Sequence, residues 1–160
     1  MISLSPVLAR LREKPAGFPR QWFRGVEGAA EISEISRKNL PRLPACWVVR
    51  TSDRPRHKGE RLDAVTFIFD VVLAVDNQRV HGRGETDDLL LEYRQAVRGR
   101  LLGWVAAADA EPLRWTGGRA LEYVGGALYW ADRYEFEMLI ENYLPDPTAY
   151  AGLDYEGDGL

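Results

Sequence analysis

The chain has 160 residues, of which 46% are hydrophobic, and a formal net charge of −3. A chain of this length buries roughly 70% of the surface that its unfolded form exposes, which is enough for one hydrophobic core. The single cysteine, Cys46, cannot form an internal disulfide and lies in an apolar run, so we expect a buried thiol, which fits a reducing compartment or simply no requirement for a disulfide. No apolar stretch approaches the ~20 residues that cross a bilayer, and the N-terminus has no signal region. We therefore expect a cytosolic protein that has no membrane partner.

The charge is unevenly distributed along the chain. Residues 1–63 carry a net charge of +6 and residues 64–160 a net charge of −9. Opposite patches on one chain favour head-to-tail association between copies, and the alternative is that both are solvated surface. The densest basic stretch, at residues 50–61, has the composition of a mobile loop and lacks the interleaved aromatic side chains that a nucleic-acid platform needs. We expect it to contact a protein partner or solvent, and we do not expect it to bind nucleic acid in a sequence-specific way.

The first half of the chain predicts a helix and several extended segments. Ser5 as N-cap and Pro6 at the first helical position begin a helix that stops near residues 15–17. Residues 22–26 are predicted to be extended and residues 29–35 to form a brief helix. Two strands follow, at residues 43–50 and 64–75. The second is the best supported, because its apolar side chains alternate along one face.

The second half predicts a helix followed by strands. A loop at residues 77–84 leads into a helix over about residues 85–102, whose acidic first turn suits the helix dipole. Its arginines are expected to be mostly solvated, and its buried stripe consists of Leu90, Tyr93, Val97 and Leu101. Short strands at 113–115 and 119–124, broken by Gly117-Gly118, precede a long strand at 128–143 with period-2 alternation.

These segments predict one α/β (α+β) domain, with a mixed or antiparallel sheet of about four to five strands and two main helices packed on it. We assign the domain to residues 1–144. Residues 145–160 are too acidic and glycine-rich to build a core, so we expect a flexible acidic C-terminal tail.

The sequence contains no catalytic constellation. His57 and His81 stand 24 residues apart without Cys or carboxylate at metal-ligand spacing, and the glycine pairs match no phosphate-binding loop. A nucleophile arrangement of Cys46, His81 and Asp70 is disfavoured because Cys46 lies within a predicted strand. We therefore expect neither enzyme activity nor a cofactor or metal. The alternative is a small cytosolic enzyme that uses His57 or His81.

An ordered series of aromatic anchors and glycine turns carries the functional signal. It comprises Val26-Glu27-Gly28-Ala29-Ala30, Pro44-Ala45, an apolar strand ending in Asn77, an acidic helix ending in Leu101-Leu102-Gly103-Trp104, Pro112-Leu113, Gly117-Gly118 and Trp130-Ala131-Asp132. Over roughly residues 5–143 this order and spacing resembles the tail terminator proteins of long-tailed bacteriophages and Mu-like prophages. The sequence departs from that pattern at residues 105–107, where Val-Ala-Ala stands in place of an expected proline.

The resemblance implies a structural virion protein, assembled in the host cytoplasm, that forms a ring, commonly a hexamer, on the head-proximal end of the tail tube. There it would stop tube polymerisation and provide the surface for head joining. Its partners would be its own copies, the tail tube protein and a head-tail connector or neck protein, with a sheath protein as a further candidate. A head-completion or tail-joining protein is the alternative within phage assembly.

The candidate interface is charged and the candidate anchors are aromatic or glycine. We assign the interface to Arg50, Arg54, Arg56, Lys58, Arg61, Asp154, Tyr155 and Glu156. We assign the structural anchors to Trp104, Gly117, Gly118 and Trp130.

Overall fold

A computed structural model describes residues 2–30, 42–77, 85–124 and 126–141 of the chain. Its elements are α1 (Ser5–Arg12), β1 (Val26–Ala29), β2 (Ala45–Gly59), β3 (Leu62–Asp76), α2 (Thr86–Leu101), β4 (Arg114–Val124) and β5 (Ala127–Glu141). The strands form one sheet in the order β1-β2-β3-β5-β4, where β1 runs parallel to β2 and the other neighbours are antiparallel. The predicted α+β domain with a mixed sheet and two helices is confirmed.

The main core lies between the helices and one face of the sheet, which we call the inner face. Strand β3 places a continuous row of apolar side chains on this face, because alternate residues of a strand point the same way. The row consists of Phe67, Phe69, Val71, Leu73 and Val75, all fully buried. Val7 and Leu11 of α1 pack into the same cluster. The predicted stripe of α2, from Leu90 to Leu101, is buried there as well.

The opposite, outer face of the sheet divides into two regions. Near the end of β3, small apolar residues such as Ala74 and Ala131 form a second cluster. The Trp47 and Tyr129 rings stack at this cluster, with their centroids 6.2 Å apart. Toward the start of β3 the outer face is charged. The two faces of one sheet therefore have different chemistry, and only the inner face carries helices among the described residues.

The basic stretch at residues 50–61 is not a loop, so that prediction is wrong. It continues strand β2, which pairs with β3 from Ala45↔Ala74 to Gly59↔Leu62 and turns at residues 60–61. Strand β1 pairs with β2 only as far as Val49, so β2 has an unpaired edge beyond that point. A proline is tolerated on such an edge, because no neighbouring strand there needs the backbone N–H donor that proline lacks. Pro55 is therefore compatible with a strand here, although the composition of residues 50–61 predicted a loop.

The Gly117-Gly118 pair does not separate two short strands, as predicted, but lies within the single strand β4. The register against β5 shifts between Trp115 and Gly117, which is the signature of a β-bulge. Gly117 has a φ of +147°, a conformation that side chains rarely adopt. The bulge accommodates the two glycines, and the strand continues beyond them.

Some boundaries differ from the predictions or cannot be compared. Helix α1 begins one residue earlier than expected, with Leu4 instead of Ser5 as N-cap, and ends at Arg12. The extended segment predicted at residues 22–26 overlaps β1 only at Val26, because residues 22–25 are irregular and the strand runs from Val26 to Ala29. Most of the predicted helix at 29–35, the loop at 78–84 and the acidic tail lie outside the described residues.

We predict that the Cys46 thiol is unreactive in the folded protein. It is 1% exposed, and burial raises its pKa because the charged thiolate is poorly solvated in the core. A thiol-specific reagent should therefore leave it unmodified from pH 7 to pH 9, a range in which an ordinary thiol, with a pKa of about 8.5, ionises. Denaturant should make it react fully. Rapid labelling of the native protein would show that Cys46 lies outside the core.

Candidate functional site

Two of the predicted anchors, Gly118 and Trp130, meet at one buried carboxylate, that of Asp132, which is 3% exposed. Arg94 of α2 binds it with two parallel bonds, Nε to Oδ2 and Nη2 to Oδ1, each 2.9 Å long. The indole N–H groups of Trp115 and Trp130 donate to the same Oδ1, at 3.0 and 3.2 Å. One side chain thus ties together α2, β4 and β5. These charge-assisted hydrogen bonds raise the pKa of Arg94.

Gly118 lies directly against this network. A Cβ atom added at this position would stand 2.8 Å from Trp130 Nε1 and 3.1 Å from Arg94 Nη2, and it would overlap Asp132 Oδ1. The second glycine of the pair is therefore required by the close approach of the β4 backbone to the Asp132 carboxylate, rather than by a turn.

The arginines of α2 also stack on the tryptophans. The guanidinium carbon of Arg94 lies 4.3 Å from the Trp130 ring centroid, and that of Arg98 lies 4.8 Å from the Trp115 ring. The prediction that the helix arginines are mostly solvated is wrong for Arg94 and Arg100, whose side chains are 23% and 21% exposed. The helical periodicity located the apolar stripe, but it could not reveal a buried carboxylate on a distant strand.

The anchor Trp104 holds the chain at the other end of α2. Its backbone carbonyl accepts from Leu113 N–H at 2.9 Å, and Gly103 N–H donates to the Leu113 carbonyl at 3.0 Å. The Arg10 guanidinium of α1 lies 4.7 Å from the Trp104 ring centroid. Gly103, with a φ of +75°, supplies the left-handed conformation that ends the helix. This anchor therefore connects α1, the end of α2 and the start of β4.

Five arginines lie on the charged part of the outer face, and each forms an ion pair with a carboxylate beneath it. We call this surface the arginine face. Arg54 and Arg114 contact Glu135, Arg56 contacts Glu137, and Arg119 and Arg133 contact Asp70. The hydrogen bonds from Arg133 to Asp70, at 2.8 and 3.1 Å, raise the pKa of Arg133. Asp70, Arg114, Arg119 and Arg133 could not be assigned to this surface from the sequence, because only the strand register brings them together.

The structure separates the predicted interface residues into three groups. Arg54 and Arg56 belong to the arginine face. Arg50 is paired with Asp53 and donates to the Ile2 carbonyl, while Lys58 and Arg61, at the tip of the β2–β3 hairpin, form no ion pair within the described ranges. Asp154, Tyr155 and Glu156 lie outside the described residues.

No described side chains form a site for nucleophilic catalysis or metal binding. Cys46 points into the inner core and Asp70 to the outer face, so the two cannot act together. His57 is an exposed hairpin residue whose Nδ1 lies 3.1 Å from Asp63, and His81 is outside the described residues. Within the described part of the chain, no three His, Cys, Asp or Glu side chains form a potential metal-binding group, and no helix is long and apolar enough to span a membrane.

We predict that Gly118→Ala destabilises the fold by about 3 kcal/mol or more, because the new methyl group would separate Asp132 from Arg94 in a nearly buried ion pair. Gly99→Ala is the matched control. Gly99 lies in α2 with nothing within 4 Å of an added Cβ, so alanine there should stabilise the protein by up to about 1 kcal/mol. Urea unfolding of both variants tests this, and equal midpoints would contradict it.

We predict that Trp130→Ala costs about 3 to 5 kcal/mol, because it removes a large ring packed against the core and the stacking surface of Arg94. Trp130→Phe keeps a ring but loses the N–H donor, so it should cost only about 1 kcal/mol for that bond. Thermal unfolding measures both. A Trp130→Ala variant with the wild-type melting temperature would mean that the side chain does not pack as described.

The order of these anchors along the chain can be compared with known protein families. A family model described as phage tail terminator protein matches residues 1–144, which include every element described above. No individual curated protein matches the chain. Because the family match covers nine-tenths of the 160 residues, the chain belongs to the phage tail terminator family, and its role is that of a structural component in phage tail assembly.

Proposed function

We propose that the protein forms a closed ring on the head-proximal end of the tail tube, stops tube polymerisation there and provides the surface to which the head joins. The observation that carries this proposal is the family match over residues 1–144. In this role its partners are its own copies, the tail tube protein and a head-tail connector or neck protein, with a sheath protein as a further candidate in a contractile tail.

The chemistry of the anchors supports a role without catalysis. The Asp132 carboxylate already accepts four hydrogen bonds, and the Arg94 guanidinium is held both by that carboxylate and by the Trp130 ring. With about four acceptor sites in total, the Asp132 carboxylate is saturated by these intramolecular partners and has none left to offer a substrate. The network therefore fits a protein that acts through its shape.

The edges of the sheet support a subunit that binds a polymer without extending it. Beyond Val49 the edge of β2 carries Pro55 and exposed basic side chains, and the other edge, β4, contains two register shifts. Proline, charge and bulges are the features by which proteins prevent a further strand from adding to an edge. These two edges are thus poor templates for continued growth, and β1, which forms the rest of the first edge, is only four residues long.

The position of the remaining charges supports a head-to-tail contact between copies. Lys58 and Arg61 lie at the hairpin tip, where β3 begins. Asp87 and Asp88 are exposed in the first turn of α2, next to the end of β3, where Thr86 Oγ1 donates to Asn77 Oδ1 at 2.9 Å. A 15-residue strand separates these ends by about 50 Å. Rings close through contacts between two different surfaces of the subunit, and Lys58 and Arg61 can serve such a contact with the acidic end, although Glu60 and Glu141 at the hairpin end reduce its net positive charge.

Deletion of the gene in a phage or prophage that carries it tests the proposed function. We expect tails of uncontrolled length that fail to join heads, with both properties restored by a plasmid copy. Fractionation separates the alternative role, because a terminator co-purifies with headless tails whereas a head-completion protein does not. Normal-length, infectious tails from the deletion strain would reject the proposal.

Light scattering of the purified protein, alone and with isolated tail tubes, tests the ring. A closed oligomer in at least one condition is expected, and it should weaken with Lys58→Glu and Arg61→Glu at the hairpin tip. Both side chains are exposed, and neither pairs with a carboxylate in the described part of the chain, so the substitutions should leave folding intact. A strict monomer in both conditions would count against the ring.

A further inference from the structure

The arginine face presents cations to the solvent and keeps its carboxylates underneath. The side chains of Arg54, Arg56, Arg114, Arg119 and Arg133 are between 42% and 65% exposed. Those of Asp70, Glu135 and Glu137 are 0%, 15% and 33% exposed. Five cations above three anions leave a net positive surface whose outermost layer consists of guanidinium groups.

These guanidiniums retain unused hydrogen-bond donors. Arg133 binds Asp70 through Nε and Nη2, and Arg119 reaches the same carboxylate through Nη1 alone, at 3.5 Å. A guanidinium has five N–H donors in a fixed fork that matches a carboxylate. Each of these arginines can therefore donate hydrogen bonds to a second carboxylate from solution. Because the ion pairs below hold the arginines in place, less side-chain entropy is lost when that second acid binds.

We propose that the arginine face binds the chain's own acidic C-terminal segment, residues 142–160. This segment contains four acidic residues and no lysine or arginine, so its charge is complementary to the surface. Strand β5 crosses the face and ends at Glu141, so the segment begins at the border of its binding surface. The inference does not depend on the ring or on the tail tube.

The segment is long enough to reach the surface of its own subunit. Arg133 lies eight residues before Glu141 on β5, a distance of about 27 Å along a strand. The acids at 154, 156 and 158 begin thirteen residues beyond Glu141, and thirteen extended residues span up to about 45 Å. A tether of this length gives an effective concentration near the millimolar range, which favours the intramolecular contact over a separate acidic protein.

The surface is less suited to nucleic acid. No described aromatic side chain stands among the five arginines to stack on a base. A peptide carboxylate satisfies the guanidinium fork without any stacking partner.

A distance measurement between two spin labels tests the proposal in the full-length protein. One label is placed at Gly159→Cys and the other at Ser52→Cys, an exposed outer-face position paired with Ile68. Cys46 is buried and should not be labelled. At low salt we expect a short, narrow distance distribution. It should become long and broad in 1 M salt, where the Debye length is about 3 Å, and in the triple variant Asp154→Asn, Glu156→Gln, Asp158→Asn.

The control pair combines Gly159→Cys with Gln95→Cys, which is exposed on α2 behind the inner face. This pair should give a longer and broader distribution than the Ser52 pair at low salt. A Ser52 distribution that neither salt nor the triple variant changes would overturn the proposal. So would loss of the short distance on dilution with unlabelled protein, since the segment would then come from a neighbouring copy. A Ser52 distribution that is already as long and broad at low salt as that of the Gln95 pair would likewise overturn it.

Discussion

The Asp132 carboxylate is the group on which the arrangement of the domain depends. It lies on β5, but it is neutralised from α2 by Arg94 and hydrogen-bonded from β4 by Trp115, so three elements share one buried charge. Removal of one partner of such a pair leaves an uncompensated charge in a poorly solvated place, which costs more than a lost contact. The position of Gly118 follows from this constraint, since the β4 backbone must pass close to the carboxylate. The anchors thus specify how the helical layer sits on the sheet.

A buried aspartate is also neutralised by arginine on the outer face, but there it does not connect the sheet to a helix. Asp70 is fully buried on β3 and is covered by Arg119 and Arg133, but these arginines face solvent instead of a helix. One buried aspartate therefore connects two layers, and the other connects strands while leaving guanidiniums on the surface. The difference explains why a chain with a net charge of −3 presents a cationic surface at the centre of its sheet.

The fold could be predicted from the sequence wherever a periodic pattern covered the whole element. Strand β3 and helix α2 are such cases, because the alternation at residues 64–75 and the stripe from Leu90 to Leu101 each match one structure only. The prediction failed where tertiary pairing overrode local composition, as in the arginine-rich half of β2 and the glycine pair of β4. Partners such as Arg94 and Asp132, 38 residues apart, depend on strand register and remain invisible to local patterns.

The strand order has a consequence for how the chain reaches its native state. Strands β2 and β3 are joined by a two-residue turn, and β4 is joined to β5 just as closely, so each pair forms from neighbouring residues. The pairing of β3 with β5 is different, because a whole helix separates them in the chain. Closing that long loop costs chain entropy, and the contacts between the strands offset this cost only after the loop has closed. We therefore expect the pairing of the two preformed hairpins to be the slow step of folding. Asp70 and Arg133 face each other across this seam, so their ion pair can form only once the halves have aligned.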